Sequence, residues 1–260
     1  MKLCFVGNSH LGAIYRAWKL VRKEYPSINI DLFIERSTGV NPLKIISGSE
    51  EGEHITRLEQ ILVIKDDPID VDVYDYFFVF ALGLSIVPVM HLYKHCRADG
   101  HAQSEGTRLV SNECFHAAAM GALMGSKAIS LARAVREHSA KPIYVVAQAR
   151  PSEYVLDPSE GTVSSYASAV AMRDDSSLNS TYVEAAQAVC GPLGATLIDQ
   201  PEETLNGSLF THGRFGVADP RDCGEGSSYS IGDWWHMNDR YGLASLSHAL
   251  KHLPSMEGLK

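Results

Sequence analysis

The amino-acid sequence predicts an α/β protein, in which helices cover both faces of a parallel sheet to form a three-layer α/β/α sandwich. Short apolar segments with the length of strands alternate along the chain with segments of helical periodicity. Several of the apolar segments are nearly continuous, which is typical of parallel strands buried on both faces. The 260 residues are 45% hydrophobic and 21% charged, so the chain carries enough apolar material for a packed core.

The predicted elements follow one another in a regular order. Five segments are predicted to be strands, namely residues 3–6, 28–34, 73–82, 142–147 and 196–198. Five segments show helical spacing of apolar residues, namely 11–24, 53–62, 113–138, 178–189 and 238–250. Residues 150–175 and 200–232 are long, polar and rich in turn residues, and we expect them to be loops over a site. No repeat or linker divides the chain, which predicts a single domain over residues 1–260.

Charge and composition exclude several classes of partner. The chain has 23 Lys and Arg against 31 Asp and Glu, a net charge of −8, and no run of basic residues longer than two. Nucleic acid and anionic membrane surfaces are therefore unexpected partners. The apolar start of the chain is too short for a secretory signal, and no apolar stretch approaches the roughly 20 residues of a membrane helix. Five cysteines without a C-x-x-C pair predict free thiols in the cytoplasm.

Ser9 lies where the first predicted strand ends and the first predicted helix begins. The free N–H groups and the positive dipole end of a helix start can stabilise a negative oxygen that develops beside a hydroxyl there. A serine at such a boundary is also the ordinary choice for a helix N-cap. Both interpretations of Ser9 therefore stay open from this position alone.

The segment Asp233-Trp234-Trp235-His236 stands just before the last predicted helix. Neutral imidazole, with a reference pKa of about 6.5, is suited to take the proton of a serine hydroxyl. A carboxylate three residues earlier can bind the ring Nδ1–H and hold Nε2 toward the serine. A surface Asp, a histidine at a helix start and two core tryptophans are the alternative interpretation.

Taken together in this order, the two segments resemble the SGNH (GDSL-type) hydrolases, a superfamily of esterases and acyl-processing enzymes. The resemblance implies a flavodoxin-like sheet of strand order 2-1-3-4-5. It also implies Ser9 as the nucleophile, His236 as the base and Asp233 as the group that orients the base. Neither a metal ion nor an organic cofactor is implied. In that strand order ligands bind at the carboxyl ends of the strands, where Ser9 would lie.

The resemblance also implies donors for an oxyanion, but here the chain departs from the family. The backbone N–H groups of Ser9 and Gly39 are the first candidates. After the third strand the family usually has Gly-x-Asn, whereas this chain has Gly83-Leu84-Ser85. Ser85 is the candidate to replace the Asn side chain, and Asn41 is a second one. Loss of one such donor can cost a serine hydrolase roughly 10²–10³ in rate.

Several other polar and aromatic residues are candidates for substrate contact. Gln148, Arg150 and Glu153 follow the fourth predicted strand, where polar residues more often anchor loops. Asn41, Gly83 and Trp235 are further candidates, although core packing explains a tryptophan equally well. His91 and His95 have the i, i+4 spacing of a zinc pair, but they lack a third ligand at firm spacing, so no metal site is predicted.

The function expected from these residues is hydrolysis of a small-acyl ester through an acyl-enzyme formed on Ser9. The resemblance suggests a carbohydrate O-acetyl group as the substrate. Acyl transfer to a sugar or another alcohol uses the same chemistry and stays open. A non-catalytic, ligand-binding relative also stays open, because the Asn of the third block is absent.

Overall fold

A computed structural model describes residues 1–34, 69–102, 108–156, 164–217 and 233–254, together with the backbone of 45–46. The predicted helix 53–62 and the candidate residues Gly39 and Asn41 lie outside the described residues. The strands, in chain order, are β1 (Lys2–Gly7), β2 (Asn29–Ile34), β3 (Ile45–Ile46), β4 (Ile69–Asp70), β5 (Tyr76–Phe80), β6 (Cys96–Ala98), β7 (Arg108–Val110), β8 (Ile143–Val146), β9 (Ala195–Ile198), β10 (Leu205–Asn206) and β11 (Phe210–Thr211).

The central sheet has the order β2-β1-β5-β8-β9, and all four neighbouring pairs are parallel. Counted along the chain, these strands have the order 2-1-3-4-5, so the predicted sheet is confirmed. Three short pairs, β3–β4, β6–β7 and β10–β11, lie outside it and were not expected. Such short pairs carry no periodicity of their own, because two or three residues are too few to show one.

The helices are α1 (Leu11–Val21), α2 (Val87–His95), α3 (Asn112–Met124), α4 (Lys127–His138), α5 (Ser164–Met172), α6 (Asp175–Cys190) and α7 (Asp239–Leu250). The single helix expected over 113–138 is two helices, because Ser126 caps α4 by accepting the N–H of Ile129. The prediction of a loop over 150–175 is wrong in part, since α5 lies within it. The helix α2 was also missed.

Two apolar cores lie on opposite faces of the sheet. In β1 the side chains of Leu3 and Phe5 pack with α1 and α7, while Cys4 and Val6 pack on the other face with residues of α2 to α6. The period of two in a strand explains this division, since successive side chains point to opposite faces. The arrangement is the three-layer α/β/α sandwich that the sequence predicts.

A close crossing of α1 and α7 brings the two ends of the chain together. A Cβ atom on Gly242 of α7 would lie 2.1 Å from the carbonyl oxygen of Ala13 in α1, so only glycine permits this approach. Arg16 of α1 also binds Asp239 at the start of α7. The turn before α1 and the segment before α7 therefore come to the same edge of the sheet. No helix among the described residues is long and apolar enough to cross a membrane.

Candidate active site

Ser9 lies in the turn between β1 and α1, and its hydroxyl does not cap the helix. The Asn8 side chain accepts the N–H of His10 at 3.1 Å, and the Asn8 carbonyl accepts the N–H of Leu11 at 2.9 Å. The helix begins without a side-chain cap, and the exposed Ser9 Oγ bonds elsewhere. The structure therefore does not show Ser9 as a helix N-cap, which was one of the two interpretations of this position.

Ser9, His236 and Asp233 form one hydrogen-bonded chain. The Ser9 Oγ lies 2.8 Å from His236 Nε2, and His236 Nδ1 lies 2.7 Å from Asp233 Oδ2. The other carboxylate oxygen of Asp233 accepts the backbone N–H groups of Trp235 at 3.2 Å and His236 at 3.1 Å. These bonds are consistent with a proton on Nδ1, because a carboxylate can only accept, and Nε2 then accepts from the Ser9 hydroxyl.

Neighbouring loops hold the segment that carries His236. The N–H of Ser152 donates to the Trp234 carbonyl at 2.8 Å, and the N–H of Val217 donates to the His236 carbonyl at 3.1 Å. Immediately after it, Asn238 caps α7 through its side-chain oxygen, as expected for a helix N-cap. Hydrogen bonds therefore hold the backbone on both sides of His236, and the bond from Nδ1 to Asp233 orients its ring.

His10 is a site residue that sequence reasoning missed. Its ring stacks on the ring of His236, with the centroids 5.2 Å apart and the planes inclined by 25°. Burial lowers the pKa of His10 to about 4, with a further lowering from His236 and an opposing effect of Asp233. His10 is therefore neutral near pH 7. In the sequence, only its position next to Ser9 pointed to His10. Its contact with His236 depends on the packing of α1 against α7.

The loop after β5 carries Gly83 and Ser85 at the carboxyl edge of the sheet. Ala81, Leu82 and Gly83 all have positive φ values of 60°, 46° and 82°. This conformation is costly for Ala and Leu, and such strain is found most often at functional sites. Ser85 is buried in this loop, and its role as an oxyanion donor stays a prediction.

Gln148 joins this loop to the end of β8. Its backbone N–H donates to the Leu84 carbonyl at 2.9 Å, and the side chain is half-buried. Because β1, β5 and β8 are neighbouring parallel strands, their carboxyl ends meet at one edge, where α/β sheets bind ligands. Trp235 is also half-buried, directly before His236. Contact of either residue with a substrate stays a prediction.

Arg150 and Glu153 are loop anchors. The buried Arg150 guanidinium forms two bonds to Asp199, at 3.1 and 3.0 Å, and also binds Asn179. The Glu153 carboxylate accepts the N–H of Gly213 at 2.7 Å and binds the side-chain amide of Asn206. In the described part of the chain, no group of three or more His, Cys, Asp or Glu is arranged to hold a metal ion.

Fold and geometry together define an α/β/α sandwich protein with a hydrogen-bonded Ser–His–Asp chain at the carboxyl edge of its sheet. No family model matches the chain, and no curated protein matches it. Among solved structures, it is similar to an active-site mutant of a family two carbohydrate esterase from Clostridium thermocellum, in complex with celluohexase. The identity is 11% and the TM-score 0.37; the likeness covers 100% of this chain and 64% of that chain.

Proposed function

We propose that the protein is a serine esterase of the SGNH type, which hydrolyses a small-acyl ester through an acyl-enzyme on Ser9. The observation that carries the proposal is the chain of two hydrogen bonds from Ser9 Oγ through His236 to Asp233, at 2.8 and 2.7 Å. A serine hydroxyl becomes an effective nucleophile when a neighbouring base is aligned on it and the base is itself oriented.

In the proposed mechanism the Ser9 Oγ attacks the ester carbonyl carbon while its proton passes to His236 Nε2. The carbonyl oxygen becomes an oxyanion, for which we propose the backbone N–H groups of Ser9 and Gly39, with Ser85 or Asn41 as a further donor. When the bond to the alcohol breaks, Nε2 returns the proton to the leaving oxygen. Water then repeats both steps on the acyl-enzyme. No metal ion or organic cofactor takes part.

The substrate proposed is a saccharide ester, with an O-acetyl group as the acyl part. Gly83, Gln148 and Trp235 are proposed to contact it from the loops around Ser9. We also propose that residues 1–260 act as a single domain in the cytoplasm. Acyl transfer to an alcohol differs only in the acceptor, so added alcohol accelerates ester turnover in a transferase but not in a hydrolase.

A specific observation favours a second candidate, a non-catalytic ligand-binding protein. Ser85 stands where the resemblance leads us to expect an Asn that donates to the oxyanion. If the site only binds its ligand, then Ser9→Ala leaves ligand affinity nearly unchanged and no ester is turned over. The two candidates therefore differ in whether the Ser9 hydroxyl is activated.

Intact-mass analysis after exposure to a fluorophosphonate tests that activation. We expect one label on the wild-type protein and none on Ser9→Ala or His236→Ala, because the probe reacts with an activated serine. Ser111→Ala is the matched control, since Ser111 is an exposed serine at the N-cap of α3. That variant is labelled like the wild type. Labelling of Ser9→Ala would refute the assignment, and an unlabelled folded wild type would favour the binding protein.

A further inference from the structure

The ring of His10 lies against the ring of His236 in a displaced stack, and this contact has no part in the proton transfers described above. The two planes are inclined by only 25° with the centroids 5.2 Å apart, so the rings are close to parallel and strongly displaced from one another. The bonds of His236 to Ser9 and Asp233 both lie along the edge of its ring. A neighbour on the ring face therefore limits tilting without competing for either nitrogen.

The backbone holds His10 where this contact requires it. His10 has helical dihedral angles, with φ −64° and ψ −23°, and its N–H is bound by the Asn8 side chain. The same turn carries Ser9, so the nucleophile and the stacking ring are neighbours in one short segment. His236 belongs to a separate segment 227 residues later in the chain. The stack is thus a direct connection between the two halves of the site.

The charge of His10 matters as well as its shape. During attack by Ser9 the His236 ring gains a proton and becomes positive. A neutral aromatic ring against its face stabilises a cation, whereas a second positive charge at this distance repels it. His10 is half-buried and lies at the N-terminal end of α1, where the helix dipole disfavours a positive charge. Both features favour the neutral ring.

We propose that His10 is a positioning residue, whose neutral ring stacks on His236 and keeps Nε2 aligned on Ser9 Oγ as the proton is transferred. This inference rests on the proposed esterase function. It assigns to His10 a role in the chemical step and none in substrate binding. The imidazole nitrogens of His10 are not required, only its flat aromatic face and its lack of charge.

Three substitutions of His10 separate these properties. His10→Phe keeps a neutral aromatic face, His10→Ala removes the face, and His10→Lys places a positive charge there. Relative to the wild type, we expect fluorophosphonate labelling of Ser9 to slow by less than about threefold in His10→Phe and about tenfold in His10→Ala. The labelling rate falls further still in His10→Lys.

With an ester substrate, kcat falls in the same order of variants while KM changes little. His91→Ala, at an exposed histidine of α2, serves as the unchanged control.

A second measurement does not depend on turnover. In proton NMR spectra, the His236 Nδ1 proton bound to Asp233 gives a strongly deshielded signal, which we expect to persist in His10→Phe and to broaden or vanish in His10→Ala. Wild-type rates in His10→Ala, or a loss in His10→Phe as large as in His10→Ala, would overturn the proposal. If the wild-type protein is not labelled at all, the esterase proposal fails. The stacking is still judged by the NMR signal, and an identical signal in all three variants rejects it.

Discussion

Arg150 and Arg16 each form an ion pair with an aspartate, and the two pairs differ in how deeply they are buried. Arg150 is 1% exposed and binds both oxygens of Asp199, which is 31% exposed. Burial alone lowers the pKa of Arg150, but the bonds to Asp199 outweigh this and raise it above its ordinary value. Arg16 and Asp239 are 34% and 50% exposed, so water screens their attraction.

We therefore expect Arg150→Met to lower the free energy of unfolding by about 3 kcal/mol, because it leaves the partners of the guanidinium without their donors. Arg16→Met removes an exposed pair and costs less than about 1 kcal/mol. Urea denaturation of both variants and the wild type measures the difference. Equal losses in the two variants would show that Arg150 does not anchor its loop in the way described.

At the scale of single elements, the strands were easier to predict than the helix boundaries. The segment 3–6 is apolar throughout, and its alternate residues serve the two cores, which is why it reads as a buried parallel strand. Over 113–138 the apolar pattern is interrupted by Gly125 and Ser126, residue types with which helices commonly end and begin, so the break at the Ser126 cap had a local signal that the prediction of one helix did not use. The helix α5 carries small and polar residues, and its burial comes from tertiary packing.

The crossing of α1 and α7 gives a prediction at this scale. Gly242→Ala places a Cβ atom against the backbone of Ala13 and forces the helices apart. We expect a loss of about 1–3 kcal/mol in the free energy of unfolding, together with slower fluorophosphonate labelling, because His236 moves away from Ser9. Gly121→Ala is the matched control, since Gly121 lies within α3 and its Cβ atom would meet no atom within 4 Å.

We expect Gly121→Ala to raise the free energy of unfolding by about 0.5–1 kcal/mol, because alanine has a higher helix propensity than glycine. Its labelling rate stays at the wild-type value. Thermal or urea unfolding measures the stability, and the labelling rate is read from intact mass. If Gly242→Ala is destabilised but labelled at the wild-type rate, then the alignment of His236 on Ser9 does not depend on the close crossing of α1 and α7.

At the scale of the whole molecule, the sequence was informative where a site residue lies in a local pattern. Ser9 follows a strand directly, and Asp233 and His236 are three residues apart, but each pattern alone left an ordinary structural interpretation open. These residues became candidates because the two patterns together resemble the SGNH hydrolases. His10 did not, because its contact with His236 exists only after α1 and α7 have packed together. Residues that act through the tertiary structure carry no periodic signal of their own.

The folded molecule also disfavours protons on several histidines, which predicts how its stability depends on pH. Burial lowers the pKa of His10 to about 4 and lowers the pKa values of His101 and His252. Asp174 partly opposes this at His101, whereas His248 adds to it at His252. In the unfolded chain a histidine titrates near its reference pKa of about 6.5. At a pH between the folded and unfolded pKa values, the unfolded state binds more protons than the folded state. The contribution of these histidines to the free energy of unfolding is therefore fully present above about pH 6.5 and is lost as the pH falls toward 4.

Denaturation curves recorded between pH 7.5 and pH 5 measure this proton uptake, because each proton bound on unfolding adds about 1.4 kcal/mol per pH unit to the slope. We expect the wild-type protein to take up more than about one proton near pH 5. In His10→Phe the uptake is about one proton smaller, since that ring cannot titrate. Above pH 7 the free energy of unfolding has the same slope against pH in the two proteins. An unchanged slope in His10→Phe would mean that His10 already binds its proton in the folded protein. That result would contradict the neutral ring on which the stacking against His236 depends.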